Sequence, residues 1–153
     1  MGETGLRGGV NGIKSIYVIG SLRNETVPTV SSWLRSTGLE VFDDWFAAGP
    51  EADDYWKAYE VAKGNDYRSA LSGHAAQHVF NFDKHHLDRV DAGLLVLPAG
   101  RSGHLELGYT IGRGKPGFIL LDGDYLDEGR FDVMYNFATE VFFSKEEMIE
   151  YFK

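Results

Sequence analysis

Apolar residues in this chain come in short runs, and between the runs they recur every three or four positions. Short apolar runs with little polar alternation are typical of strands buried on both faces, as in a parallel sheet. Helical spacing over residues 25–37 and 67–90, the latter broken near Gly73, predicts the connecting helices. The pattern therefore predicts repeated strand–helix–strand units with right-handed connections. The four predicted strands cover residues 13–19, 39–42, 91–97 and 117–121.

The end of the chain continues this pattern less regularly. Residues 122–124 are expected to form a turn, and residues 131–136 a short irregular segment. Residues 141–143 predict a fifth strand at the sheet edge, followed by a helix over residues 145–152. Ser144 and Glu147 have the spacing of a capping box, which marks the start of that helix.

These elements predict an α/β fold, a three-layer αβα sandwich around a mostly parallel sheet of about five strands, Rossmann-like or flavodoxin-like. The length of 153 residues suits one domain, which we expect to span residues 13–153. Residues 1–12 contain five glycines and little that is apolar, so we expect a flexible N-terminus without a signal peptide.

The glycine-rich stretch over residues 97–116 is the strongest candidate for a functional site. It reads as a strand end, a turn and a helix, and open α/β sheets bind ligands where their strands end. If Ser102 or Gly103 caps the helix, Glu106 lies in its first turn, where the helix dipole favours the ionised carboxylate. Glu106 is then a candidate nucleophile, or an anion that stabilises a cationic transition state. The alternative is a glutamate that only complements the dipole.

The loop before Glu106 adds groups that can bind an anion. Arg101, Ser102 and free backbone N–H groups could hold a phosphate or carboxylate, because helix N-termini favour anions. A solvent-facing arginine and a simple capping serine are the alternatives. Glycines at 100, 103 and 108 would let a ligand approach the backbone closely. A dinucleotide site is rejected, because no G-x-G-x-x-G follows the first strand.

The segment over residues 43–66 is acidic and aromatic, and it follows the second strand. Long segments at the ligand end of a sheet often form a lid or a pocket wall, and the alternative is a surface flap. Asp44 and Trp45 are candidate substrate-binding residues there, and Trp45 and Trp56 could stack on a flat ligand or simply pack the flap. Tyr17, on the first strand, could reach the site or serve only the core.

Charge and residue usage exclude several classes of function. The formal net charge is −8 and the pI is about 5.0, the wrong sign for binding a nucleic acid polymer. The chain has no cysteine, which excludes disulfides and thiolate catalysis and fits a cytoplasmic protein. No run of about 18 apolar residues predicts a membrane span. His85 and His86 are adjacent and lack a metal-site spacing, so we expect no metal and no cofactor.

Three motifs give the chain a resemblance to the nucleoside 2-deoxyribosyltransferase family, over residues 16–152. They are Ile-Tyr-Val-Ile-Gly ending at Gly20, the aspartate and apolar strand over residues 90–97, and Gly-Arg-Ser-Gly-His-Leu-Glu-Leu-Gly-Tyr from Gly100. The chain is most similar to a subgroup with Gly-Arg-Ser-x-His-Leu-Glu and with Tyr-Trp-Lys-Ala, here starting at Tyr55, in the flap.

The resemblance implies glycosyl transfer at C1′ with retention of configuration. Glu106 would be the nucleophile, Tyr17 would orient its carboxylate, and Asp83 would protonate or hydrogen-bond the leaving base. Asp132 and Met134 fall where a neighbouring subunit enters the site, which implies a homo-oligomer with shared active sites. The candidate substrate-binding residues are Gly20, Ser21, Arg23, Asp44, Trp45, Gly100, Arg101, Ser102, Gly103, Asp132 and Met134.

One departure from the family bears on the substrate. Enzymes of the family that act on free nucleosides often have an acidic residue six positions before the nucleophile, where this chain has Gly100. Arg101, Ser102 and Arg23 could instead bind a phosphate, which favours a nucleoside 5′-monophosphate over a nucleoside. The expected activity is cleavage or transfer of an N-glycosidic bond of either substrate, and the alternative is a nucleotide-sensing binding module without turnover.

Overall fold

A five-stranded parallel sheet forms the centre of the protein. The computed structural model describes residues 12–121 and 131–153. The strands are β1 Ser15–Ile19, β2 Glu40–Phe42, β3 Ala92–Val96, β4 Gly117–Leu120 and β5 Glu140–Phe142. Their order across the sheet is β2-β1-β3-β4-β5, and every neighbouring pair is parallel. This is the strand order of flavodoxin-like folds.

Helices cover both faces of the sheet. They are α1 Val27–Arg35, α2 Ala52–Ala62, α3 Tyr67–Leu71, α4 His74–Arg89, α5 Arg101–Gly112 and α6 Lys145–Phe152. Two short 3₁₀ segments span Asp44–Ala48 and Val133–Phe137. Helices α1 and α6 pack together on one face, and α4 and α5 on the other. The predicted three-layer α/β fold is confirmed.

Successive strand residues enter two different cores, one on each face of the sheet. On β1, Ile16 and Val18 contribute to the core under α1 and α6, whereas Tyr17 and Ile19 contribute to the core under α4 and α5. All five residues of β1 are buried, which explains its continuous apolar run. Tyr17 is therefore in the layer that also contains α5 and Glu106.

Several local predictions are confirmed. Helix α4 begins at His74, as the break near Gly73 predicts, and α6 is capped by Ser144, which accepts the N–H of Glu147 at 3.1 Å. Glu147 accepts the N–H of Phe143, one residue before the cap, so the capping pair is slightly shifted. Gly114, with φ of +87°, follows the end of α5.

Two predictions fall wholly or mostly outside the described residues. Those for residues 1–11 and for the turn at residues 122–124 concern positions outside the described residues. In the described part of the chain, no helix combines the length and the apolar character needed to cross a membrane.

Candidate active site

Glu106 lies in the second turn of α5, so the prediction that places it in the first turn is wrong. The helix begins at Arg101, and Gly100 rather than Ser102 or Gly103 holds the N-cap position with an extended backbone. Glycine is accepted at an N-cap, which lets the helix start two residues earlier than a serine cap would. Glu106 is consequently too far along the helix to complement its N-terminus directly.

Tyr17 contacts Glu106 from the neighbouring strand. Its hydroxyl donates a hydrogen bond of 3.3 Å to Oε2 of Glu106. Burial, together with the negative charges of Glu106 and Asp83, raises the pKa of Tyr17 far above its ordinary value. The tyrosine therefore stays protonated at physiological pH and remains a donor to the carboxylate.

Asp83, on α4, completes a cluster with Tyr17 and Glu106. Burial raises the pKa of Asp83 above its ordinary value. Burial, and secondly the charge of Asp83, raise the pKa of Glu106 to about 7, against the opposing effect of the Tyr17 hydrogen bond. The Glu106 carboxyl group is thus harder to ionise than an ordinary glutamate, contrary to the expectation from a position at the helix start. Two interacting carboxyl groups of this kind titrate as a pair, and the pair retains a proton near neutral pH.

A cavity of about 270 Å³ opens where β1 and β3 end. It is lined by Ser21, Arg23, Asn24, Pro98, Ala99 and Gly100. The strand order reverses between β1 and β3, and open α/β sheets bind ligands at this point. The structure thus brings together three of the predicted binding residues from two loops, namely Ser21, Arg23 and Gly100.

Arg23 is held at the cavity by the flap. Its guanidinium forms a salt bridge of 3.2 Å with Asp54, in the first turn of α2, and both side chains are about two-thirds exposed. The backbone N–H of Arg23 also donates to the hydroxyl of Ser21 at 3.1 Å. The positive charge at the cavity is thus partly balanced by Asp54.

The glycines at 100 and 103 have different surroundings. A methyl group at Gly103 would lie 2.9 Å from a methyl carbon of Leu95, so this glycine lets α5 pack closely on the sheet. Nothing lies within 4 Å of the corresponding position at Gly100, which faces open space at the cavity. Arg101 and Ser102 are exposed in the first turn of α5.

Trp45 is engaged in packing. Its Nε1 donates to the carbonyl of Val18 at 2.8 Å, and its ring lies 3.6 Å from the position of a Cβ at Gly20. Asp44, in the same 3₁₀ segment, is exposed. Trp56 packs edge-on against Tyr67, and its buried Nε1 has no hydrogen-bond partner among the described residues. The contacts of both tryptophans thus match the packing alternative.

Asp132 and Met134 lie together on the 3₁₀ segment Val133–Phe137 and its cap. Asp132 accepts the N–H of Met134 at 2.9 Å, and both side chains are exposed. Within the part of the chain that the structure describes, no hydrogen bond or ion pair joins them to Tyr17, Asp83 or Glu106. Among the described residues, the structure thus shows no direct polar contact between these two residues and the carboxylate cluster.

Two contacts of histidines near the site escape sequence reasoning. His86 stacks on Phe42 at 4.0 Å between ring centroids, and Phe42 in turn packs against Tyr17 at 4.9 Å. His104 donates from Nδ1 to the carbonyl of Gly100 at 2.8 Å, and its Nε2 lies 2.9 Å from the Tyr135 hydroxyl. For the first contact, the sequence shows only that Phe82 and His86 are one helical turn apart, which places both rings on the same face of α4.

Over residues 12–121 and 131–153, no group of three or more histidine or acidic side chains could hold a metal ion. The His85 and His86 rings are inclined by 76° to each other. No family model matches the sequence, and no curated protein matches it.

Proposed function

We propose that this protein is an enzyme that cleaves or transfers the N-glycosidic bond of a (2-deoxy)nucleoside or of its 5′-monophosphate. The observation that carries the proposal is the hydrogen bond from Tyr17 to Glu106 beside Asp83, which assembles two carboxyl groups and a protonated tyrosine. Nucleotide salvage in the cytoplasm is the proposed setting, and the absence of cysteine is compatible with it.

In the first step, a carboxylate oxygen of Glu106 attacks C1′ of the sugar. The C1′–N bond breaks, its electron pair leaves with the base, and a covalent glycosyl-glutamate forms. Tyr17 holds the attacking carboxylate through its hydrogen bond. The negative charge of Glu106 also stabilises the oxocarbenium-like transition state of this reaction.

Asp83 supplies a proton to the departing base. Its pKa is raised by burial, so it retains a proton to higher pH than an ordinary aspartate. The reactive form has this proton on Asp83 and Glu106 ionised, although the pKa of Glu106 is the one raised to about 7, so the bound base must draw the proton to Asp83. Tyr17 favours this arrangement, because its hydrogen bond lowers the pKa of Glu106.

In the second step, water or an acceptor base attacks C1′ and breaks the bond to Glu106. Water gives hydrolysis and a base gives transfer, and both return the carboxylate with retained configuration at C1′. Asp83 takes up a proton from the incoming nucleophile, the reverse of its role in the first step.

The cavity at Gly100 favours a substrate with a 5′-phosphate. Arg23 and Ser21 line this cavity beside the free first N–H groups of α5, and all of these can bind an anion. Gly100 adds no negative charge that would repel a phosphate. Arg101 and Ser102, in the exposed first turn, are further candidate phosphate ligands.

We propose that the enzyme works as a homo-oligomer in which a second copy covers the apolar segment near residue 134. Leu105, Val133, Met134 and Phe137 have exposed fractions between 58% and 75%. His104, next to Leu105, contacts Tyr135 of the same segment, so these side chains belong to one region. Monomers rarely expose apolar patches beyond a few hundred Å². Light scattering tests this proposal: a dimer or larger assembly is expected, and a monomer at high concentration would contradict it.

The central test is chromatography of nucleosides and their 5′-monophosphates after incubation with the protein, with and without an acceptor base. We expect release or exchange of the base by the wild type and none by Glu106→Ala. A matched Glu25→Ala variant, at an exposed position before α1, should retain activity. If the wild type binds nucleotide but never releases base, the protein is a nucleotide-sensing module and the enzymatic proposal is wrong.

A further inference from the structure

Asp88 is the centre of a polar cluster that joins α4 to α5. One of its carboxylate oxygens, Oδ1, accepts the hydroxyl of Tyr109 at 2.6 Å and also pairs with Arg113. The other, Oδ2, pairs with Lys84 at 2.9 Å. The three donors are Lys84 on α4, Tyr109 on α5 and Arg113 directly after α5. They hold Asp88 ionised, and its pKa falls to about 2, chiefly through the hydrogen bonds from Tyr109 and Lys84.

Four further contacts lie at the same junction between α4 and α5. Lys84 and Arg113 both lie over the ring of Tyr109, at 5.6 and 5.5 Å from its centroid. Lys115, just after α5, donates to the carbonyl of Asp88 and, at 2.6 Å, to the carbonyl of Val90. The end of α4 is thereby attached to the end of α5 through side chains and backbone.

This cluster lies on the same two helices as Asp83 and Glu106 of the carboxylate cluster, closer to the C-terminal ends of these helices. Helix α4 leads into β3 and α5 leads into β4, and these two strands are parallel, so both helices run in the same direction against the sheet. Asp88 follows Asp83 by five residues on α4, and Tyr109 follows Glu106 by three residues on α5. At a rise of about 1.5 Å per residue, the cluster lies only about 5 to 8 Å further along the helix axes.

We propose that Asp88 is a positioning residue that sets the separation of Asp83 and Glu106 by clamping α4 to α5. The proposal deepens the proposed function, on which its catalytic consequence rests. Asp88 does not touch the substrate in this scheme. It acts through Tyr109 and Arg113, which hold α5, the helix of Glu106, against α4, the helix of Asp83.

The clamp has a measurable consequence at Glu106. Among the described residues, the titratable groups that influence Glu106 are Tyr17 from β1 and Asp83 from α4. Burial and the charge of Asp83 raise its pKa, and both effects weaken when α4 moves away from α5 and water enters. A loosened clamp should therefore move the pKa of Glu106 down, toward the ordinary glutamate range.

Two variants test the clamp in complementary ways. Asp88→Asn removes the charge that Tyr109, Lys84 and Arg113 share. Tyr109→Phe changes no charge and removes two hydrogen bonds, the one that its hydroxyl donates to Asp88 and the one that it accepts from Arg113 at 3.0 Å. The control is Glu40→Gln, which breaks the 2.8 Å ion pair between Arg89 of α4 and Glu40 of β2 and leaves the contacts between α4 and α5 in place. It also removes one negative charge, as Asp88→Asn does.

The readout is the titration of Glu106, followed by ¹³C NMR of its carboxyl carbon in each full-length variant. We expect its pKa to fall by about one unit in Asp88→Asn and by less in Tyr109→Phe, with no change in Glu40→Gln. An unchanged Glu106 pKa in a folded Tyr109→Phe variant overturns the proposal. So does a fall of the Glu106 pKa in Glu40→Gln as large as the fall in the clamp variants. Tyr109→Phe decides the matter if Asp88→Asn fails to fold.

The titration needs no turnover, so it separates this proposal from the proposed function. If the protein releases base from nucleotides, the acid limb of its pH–rate profile should shift to lower pH in both clamp variants. If no nucleotide is cleaved but the Glu106 pKa falls as expected, the clamp stands and the enzymatic proposal fails. If cleavage occurs and neither the titration nor the profile moves, the clamp is wrong.

Discussion

The hydroxyl of Tyr17 donates to Oε2 of Glu106 over 3.3 Å, which joins two residues that lie 89 positions apart in the chain. The contact exists because Tyr17 is on the face of β1 that packs under α5. A one-residue shift of β1 would turn this side chain to the opposite face of the sheet. The site therefore depends on the register of β1 in the sheet, where Tyr17 pairs with Phe42 and Gly93.

Replacing Tyr17 with Phe should reduce activity and raise the pKa of Glu106. The lost hydrogen bond favours the ionised carboxylate, so its removal moves the Glu106 pKa further above about 7. A hydrogen bond to a charged group contributes about 1.5 kcal/mol, so base release at pH 7 should fall roughly tenfold. The pH–rate profile measures this, and part of the loss should recover at higher pH.

Tyr151→Phe is a suitable control for that variant, because Tyr151 packs in the core on the opposite face of the sheet. It should leave the pH–rate profile unchanged. A Tyr17→Phe enzyme with wild-type activity and an unshifted profile would show that Tyr17 does not orient the nucleophile.

Glu106→Gln should make the protein more stable at alkaline pH. The pKa of Glu106 is about 7 in the folded protein, above its ordinary 4.5, so the folded state binds the proton more tightly than the unfolded chain. The resulting stabilisation is fully present below pH 4.5 and is lost as the pH rises through 7. At pH 8 the glutamine variant should exceed the wild type by on the order of 2 kcal/mol, with a smaller difference at pH 4.

Urea unfolding at pH 4, 6 and 8 measures this difference. Glu25→Gln, at an exposed position, should show no comparable increase with pH. A Glu106→Gln variant that is less stable than the wild type at pH 8 would mean that the buried carboxylate is better satisfied than its surroundings indicate.

The fold was predictable from the sequence because its main signals are local. The continuous apolar runs and the helical spacing between them are physical consequences of a parallel sheet covered on both faces. Glycines at 38 and 114, both with positive φ, come after helices α1 and α5, where glycine is the usual residue to end a helix. The predicted start of α5 was wrong because Ser102 has a higher propensity for the N-cap position than Gly100. Local propensity cannot show which of the two the tertiary structure uses.

The site was less predictable, because its electrostatics depend on distant residues. Nothing near Glu106 in the sequence indicates that burial would raise its pKa, since burial depends on where β1 and α4 pack. The role of Gly103 could not be seen either, because its close neighbour Leu95 belongs to β3. The Asp88 cluster combines residues that lie up to 27 positions apart, so its contacts also depend on tertiary packing that local sequence does not show.

Gly103→Ala and Gly108→Ala should have opposite effects on stability. A methyl group at Gly103 would approach Leu95 to 2.9 Å and Ala99 and Ile19 to 3.4 Å, so α5 must move or the core must adjust. Such overpacking costs about 1 to 3 kcal/mol. Gly108, inside the same helix, has nothing within 4 Å, so alanine there should add about 0.5 to 1 kcal/mol. Thermal unfolding compares the two, and equal effects would contradict the close packing at Gly103.

Arg23→Ala and Asp54→Asn should change the affinity for a 5′-phosphate in opposite directions. Arg23 lines the cavity at Gly100, and its guanidinium is shared with Asp54 at 3.2 Å. Loss of Arg23 should raise KM for a nucleoside 5′-monophosphate roughly tenfold, because a charge-assisted contact is lost, with little change for the nucleoside. Asp54→Asn frees the guanidinium and should lower KM for the monophosphate.

Both side chains are well exposed, so neither change should affect stability by more than about 1 kcal/mol. Steady-state kinetics on paired substrates measures the effect, and an Arg23→Ala enzyme that loses equal affinity for both substrates would remove Arg23 from the phosphate site.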